Sequence, residues 1–249
     1  GEGYKGILHN PDPHKDETDI QAGIIALRKM HLRAIAESGL SAADEMLYPE
    51  NHVYLDDLLT YVAVGARSSE DQQHRLVASG VDIPCGIKNP MNGSFPVTLN
   101  SIYAAQIANE FKYRTCQVRT DGNPYAHAIL RGSVDVYGNN IPNYHYEDLM
   151  RFIDMYEKQG LKNPAVIVDT NHSNSGKNYI EQIRIVKEVV DNIRHNDRIR
   201  RYVRGFLIES YIEDGAQPVT GCEYGKSVTD PCLGWEKTER LLLDVADKL

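Results

Sequence analysis

Short apolar runs, separated by stretches with helical spacing, constrain this chain most. Four of them are Val62-Ala63-Val64-Gly65-Ala66-Arg67, Cys85-Gly86-Ile87-Lys88, Val166-Ile167-Val168-Asp169-Thr170-Asn171-His172 and Phe206-Leu207-Ile208-Glu209. A continuous apolar run reads as a strand buried on both faces, the habit of parallel sheets. Each of these four ends on Arg, Lys, His or Glu. In parallel α/β proteins ligands gather at the carboxyl ends of strands. The pattern therefore predicts one site for an anionic substrate and a divalent metal.

Helical spacing fills the intervals. Helices are predicted over 18–38 (Ile20, Ile24, Leu27, Leu32 and Ile35 as its stripe, Gly39 as its stop), 51–60, 69–79 (Ser68 or Ser69 as cap, Gly80 as stop), 97–110, 146–159, 178–194 and 235–248. Ala42–Leu47 reads as a short strand carrying Asp44 and Glu45. Tyr113–Arg119, the turn Asp121-Gly122-Asn123-Pro124 and Ala126–Arg131 read as a β-hairpin insert at about 113–131, with 133–144 a polar loop. His127, Ile129 and Arg131 share one face, because side chains alternate along a strand. Strands separated by helices indicate parallel βαβ units. The expected fold is an α/β, TIM-barrel-like (β/α) domain over 1–249, with about six core parallel strands where a closed barrel has eight.

Composition narrows the function classes. The 249 residues are 41% hydrophobic and 25% charged, with a net charge of −8. That balance argues against a nucleic-acid or membrane-surface role. No apolar stretch approaches the ~18–20 residues that span a bilayer. Cys85, Cys116, Cys222 and Cys232 form no CxxC pair, so a reducing cytoplasm is expected. The chain opens on Gly1-Glu2-Gly3 without Met, as a processed form or the ordered part of something longer would.

The candidate site residues have bland readings beside the sharp ones. Arg67 and Lys88 suit phosphate or carboxylate, Arg as a planar fork and Lys as a point charge; each could equally form an ion pair at the sheet rim. His172, Glu209 and Asp230 form a donor set that suits manganese, iron or zinc. Alternatively, His172 could bond the Ser173-Asn174-Ser175 loop, Glu209 could pair with an Arg, and Asp230, before Pro231, could cap a short helix. The run Arg194, His195, Arg198, Arg200, Arg201, Arg204 reads as a solvated helix end and loop. Ser173–Lys177 precedes a helix but lacks the full phosphate-loop pattern.

Several motifs coincide with one family. They are Gly6-Ile7-Leu8-His9-Asn10-Pro11, Gly65-Ala66-Arg67-Ser68-Ser69-Glu70, Gly86-Ile87-Lys88-Asn89, Ile129-Leu130-Arg131-Gly132, Asp169-Thr170-Asn171-His172-Ser173-Asn174-Ser175, Glu209-Ser210, and Tyr224-Gly225-Lys226-Ser227-Val228-Thr229-Asp230 with Gly234-Trp235-Glu236. In this order the chain resembles the type I 3-deoxy-D-arabino-heptulosonate 7-phosphate (DAHP) synthases of the shikimate pathway, which supplies aromatic amino acids. The resemblance implies condensation of phosphoenolpyruvate with erythrose 4-phosphate. It implies that Arg67, Lys88 and Arg131 bind phosphoenolpyruvate, that His172, Glu209 and Asp230 are metal ligands, and that Lys88 and His172 are catalytic. A metal would polarise the aldehyde for attack by the enol carbon. Water then adds to the oxocarbenium-like carbon and phosphate leaves. The family has two barrel strands ahead of the point where this chain begins. They carry a Gly-Pro-Cys metal-ligand motif and a Lys-Pro-Arg motif, neither of which occurs here. The resemblance leaves two expectations: a short synthase acting as a homo-oligomer, or a non-catalytic homologue that binds an anionic metabolite or partners another synthase subunit.

Overall fold

The structure, a computed structural model, describes residues 6–12, 15 and 17–249; the opening Gly1-Glu2-Gly3 lies outside the described residues. The chain divides into two compact units. One comprises the described residues up to Pro90 together with Asn100–His127, and the other Met91–Leu99 with Ala128–Leu249.

In the first unit α1 spans Ile20–Ser38. The Asp19 carboxylate accepts from Ala22 N at its start, and Gly39, at φ 68°, ends it. Its buried residues are Gly23, Leu27 and His31; of the expected stripe Leu27 is buried, Ile24 and Ile35 are half-buried, and Ile20 and Leu32 are exposed. Gly23 explains this rotation of the buried face: a Cβ there would collide with the Leu8 carbonyl. The helix thus turns its smallest residue toward the Ile7-Leu8 backbone.

Strands β1 (Ala42–Glu45), β2 (Leu59–Val64) and β3 (Cys85–Lys88) pair in parallel in the order β1-β2-β3. The helix expected over 51–60 is a 3₁₀ turn, Pro49–Tyr54, opened by Pro49. Beyond it the β-favouring run Thr60-Tyr61-Val62 enters β2, as β-branched and aromatic residues do. Helix α2 (Gln72–Ala78) starts later than expected. Its cap is Asp71, whose carboxylate takes both the backbone N–H and the ring of His74. Ser69 instead lies buried in the preceding turn.

Helix α3 (Phe95–Gln106) also stops short of the expected 110. The Asn109 side chain donates to the Ala104 and Ile107 carbonyls and closes it. The expected hairpin lies elsewhere than its composition suggested. The antiparallel pair is β4 (Asn109–Tyr113) with β5 (Cys116–Thr120), joined by Arg114-Thr115. Arg114 takes the positive φ (53°) that a two-residue hairpin turn requires. Asp121–Pro124 is not a hairpin turn; it connects β5 to a parallel strand.

That strand is β6 (His127–Leu130), whose last three residues open the parallel set of the second unit. Beside it run β9 (Val166–Asp169) and β10 (Val203–Leu207) in the order β6-β9-β10. The expected polar loop after β6 holds a small antiparallel pair, β7 (Ser133–Val134) with β8 (Asn140–Ile141). Helices α4 (Tyr146–Gln159), α5 (His172–Ser175), α6 (Glu181–His195), α7 (Asp197–Tyr202) and α8 (Trp235–Ala246) complete the unit. α4 buries the expected stripe Leu149, Phe152, Ile153 and Tyr156. Phe152 meets Phe95 edge-to-face at 4.9 Å. Val186 and Val190 of α6 pack with Leu233 and Leu241. Arg198, Arg200 and Arg201 lie on α7, where Arg198 bonds Asp154 and Glu157 of α4.

The described residues thus supply six parallel strands, three in each unit, alternating with helices. This is the expected TIM-barrel-like (β/α) construction. No described helix is long and apolar enough to cross a membrane.

Candidate active site

Lys88 ends β3 with its side chain buried, and its ammonium donates to Glu45 Oε2 at 3.2 Å. Glu45 ends β1. The rim ion pair weighed for Lys88 therefore exists. Glu45 reaches it across Gly65, where a Cβ would collide with the Glu45 carboxylate. Glu45 belongs to the expected strand Ala42–Leu47, which carries no site role by spacing alone. Its signal was an acidic residue at a strand end, matching the basic one on β3. Arg67 stands in the turn 66–70 just past β2, exposed.

The second unit gathers four of the six candidates. Arg131 follows β6 and is buried; its guanidinium lies 3.3 Å from Ser173 Oγ and 3.4 Å from Met91 Sδ. The turn after it depends on Gly132, at φ 76°, where a Cβ would sit 2.6 Å from Asn174 N. Asn143 and Asn174 lace this turn to the next strand. Asn143 Oδ1 accepts from Gly132 N, Asn174 Oδ1 accepts from Asn143 N, and Asn174 Nδ2 donates to the Leu130 and Asp169 carbonyls.

His172 sits at φ 43°, a region unfavourable for any residue with a Cβ. Such strain is typical of functional sites. Lys177 N donates to His172 O and closes the turn. One ring edge faces Asp169, with Nδ1 2.8 Å from Oδ2. The other faces two carboxylates: Nε2 lies 3.4 Å from Glu209 Oε1 and 3.7 Å from Asp230 Oδ2.

Glu209 lies two residues past β10. The buried Gln182 grips its peptide on both sides, accepting from Glu209 N (2.8 Å) and donating to Glu209 O (3.0 Å). Burial raises the Glu209 carboxyl above the usual range, and Asp169 and Asp230 add to it; His172 and Asn171 oppose. Asp230 caps no helix. Its Oδ1 takes Lys177 Nζ at 2.7 Å. Glu209 meets the His172 ring, not an arginine. Gln182 carried no signal in the sequence; Asp169 stood in the motif with His172 and Lys177 in the stretch weighed for phosphate, but spacing gave neither a place at this site.

A divalent cation fits this donor set. One imidazole nitrogen and two carboxylate oxygens, from His172, Glu209 and Asp230, all lie within 4.8 Å of one another. Two ligands at about 2.1 Å from one ion, set at a tetrahedral angle, are about 3.4 Å apart. The observed 3.4 and 3.7 Å are close to that spacing.

Comparison with known proteins agrees with the motif order. The DAHP synthetase I family matches residues 2–243. The Tyr-sensitive phospho-2-dehydro-3-deoxyheptonate aldolase of Escherichia coli K12 is 37% identical, over 99% of this chain and 68% of that protein. The Trp-sensitive enzyme of the same strain is 32% identical, over 98% of this chain and 69% of that protein. A solved phospho-2-dehydro-3-deoxyheptonate aldolase from Francisella tularensis SCHU S4 superposes with a TM-score of 0.88 at 30% identity, covering 99% of this chain and 71% of that one. With motifs, strand–helix order and these likenesses in agreement, the chain belongs to the DAHP synthetase I family.

Proposed function

We propose that this chain takes part in the condensation of phosphoenolpyruvate with erythrose 4-phosphate, as a DAHP synthase. The observation that carries the reading is the convergence of His172, Glu209 and Asp230 at metal-ligand spacing. These three hold a divalent cation, with manganese, iron and zinc all compatible with one imidazole and two carboxylates. Bound there, the cation supplies electrophilic polarisation of the aldehyde carbonyl.

The chain's own residues bind and orient. Arg67 and Arg131 offer guanidinium forks matched to phosphate and carboxylate. Arg131 is pre-set, because burial beside Ser173 and Met91 limits its rotamers. Lys88 presents a fixed ammonium, steadied by Glu45, as a catalytic and phosphoenolpyruvate-binding cation of this reading. Holding both charges of phosphoenolpyruvate in place reduces the entropy lost at the reacting carbon. A cytoplasmic homo-oligomer is proposed with the same reading; the four free cysteines suit the reducing compartment and carry no argument about assembly.

The test is loss of phosphoenolpyruvate absorbance with the 249-residue chain and Mn²⁺, with and without erythrose 4-phosphate. Aldose-dependent loss that His172→Ala abolishes is the expected result. A folded chain that binds phosphoenolpyruvate without consuming it would replace the enzyme by the metabolite-binding homologue.

A further inference from the structure

Asp169 is the last residue of β9, and its side chain is almost fully buried. A carboxylate removed from water needs compensation. Part comes from the backbone, since Oδ1 accepts from Asn171 N at 3.0 Å. The other oxygen, Oδ2, lies 2.8 Å from His172 Nδ1, at ion-pair distance but too oblique to the ring for a formed hydrogen bond. The ring edge facing Asp169 is the one turned away from Glu209 and Asp230.

This arrangement decides which nitrogen carries the proton. An imidazole that binds a cation through Nε2 must keep its proton on Nδ1, and free neutral imidazole side chains favour the opposite tautomer. A carboxylate accepts only, so it stabilises the Nδ1–H form. The strained backbone at His172 keeps the ring in this position, because the Lys177 N–H locks the turn. Asn171, also buried, ties the same turn to the opposite ligand: its Nδ2 donates to the Pro231 carbonyl, the residue after Asp230.

We infer that Asp169 is a positioning residue that acts through His172: it fixes the Nδ1–H tautomer and so leaves the Nε2 lone pair facing Glu209 and Asp230. The inference rests on the metal-binding reading of these three residues. A purely structural role for Asp169 would be confined to the turn it makes with Asn171 N.

Asp169→Asn separates the two roles. The amide oxygen can still accept from Asn171 N, so the turn survives. The amide nitrogen then faces His172 as a donor and favours the Nε2–H tautomer. Two readouts are taken at a pH where the ring is neutral. One is the ¹⁵N spectrum of the histidine rings, with His172 assigned by its absence in His172→Gln. The other is Mn²⁺ affinity by calorimetry. The expected result is a folded variant with wild-type circular dichroism, a His172 ring protonated on Nε2, and Mn²⁺ binding weakened about 10–100-fold, the usual effect of losing such a partner. A variant that keeps the Nδ1–H ring, or binds Mn²⁺ as tightly as wild type, overturns the inference. If the wild type binds no Mn²⁺, the metal reading fails, and the ring spectrum alone still decides the role of Asp169. Should Asp169→Asn fail to fold, the wild-type spectrum decides: an Nε2–H ring there overturns the inference and an Nδ1–H ring supports it.

Discussion

At the scale of single residues the site is a balance of charge. Glu209 has Asp169 and Asp230 near it and is itself largely out of water, which raises its carboxyl. The sign of the consequence comes from linkage. With its folded value above its unfolded one, the native state holds the Glu209 proton more tightly. This contribution to stability is full below the unfolded value and is lost as pH rises through the folded one. Burial lowers His31, His52 and His127, which act in the opposite direction as pH falls below the ordinary imidazole range. The difference between wild type and Glu209→Gln isolates the carboxylate. In EDTA, urea midpoints of the two proteins should diverge as pH rises from the ordinary carboxylate range, with the variant the more stable at neutral pH. A wild type more stable than Glu209→Gln at neutral pH would contradict the charge balance. Lys177 offsets the same cluster by pairing with Asp230. Half-exposed pairs of this kind contribute about 0.2–1 kcal/mol. Lys177→Met removes a cation that competes for Asp230, so Mn²⁺ should bind roughly 1.4- to 5-fold more tightly, the same energy expressed as affinity. Weaker binding would instead show that Lys177 holds Asp230 in place.

At the scale of elements, the connections after strands do the positioning. The β6 exit is the clearest case. Gly132 is demanded twice, by its φ of 76° and by the backbone of Asn174 against which any Cβ would press. Backbone cannot yield as a side-chain tip can. Gly132→Ala should cost about 3 kcal/mol, combining left-handed strain with the overlap. Thermal unfolding measures the cost, and a loss under ~1 kcal/mol would mean the turn can rearrange. Gly65 makes the contrast, since its neighbour is the carboxylate tip of the Glu45 side chain and not backbone. The helices were legible where a stripe of large apolar residues was present, as in α4 and α6, whose buried faces carry Phe152, Tyr156, Ile185 and Val189. They were misread where a polar side chain set the end. Asn109 stops α3 and Asp71 starts α2 through hydrogen bonds that no periodicity reveals. The hairpin was misplaced for a related reason. Ala126–Arg131 has the composition of either a hairpin strand or a core strand, and pairing with β9 made it the latter.

At the scale of the whole molecule, local pattern determined class and family. Apolar runs of strand length, separated by helical spacing, were sufficient for parallel βαβ units, because a strand buried on both faces needs helices to cover it. Motif order was sufficient for the family; strand ends and donor chemistry had already marked His172, Glu209 and Asp230, and the motifs added Arg131. Tertiary structure alone decided what those residues touch. Residues 37 positions apart, His172 and Glu209, meet because β9 and β10 lie side by side, and hydrogen-bond register sets which side chains face each other. The same holds for Lys88 with Glu45, for Gln182 around the Glu209 peptide, and for Asp169 behind the His172 ring. Spacing along the chain records a helix face or a strand face. It does not record which two strand ends become neighbours, because that is settled by pairing and packing over distances the local sequence does not encode.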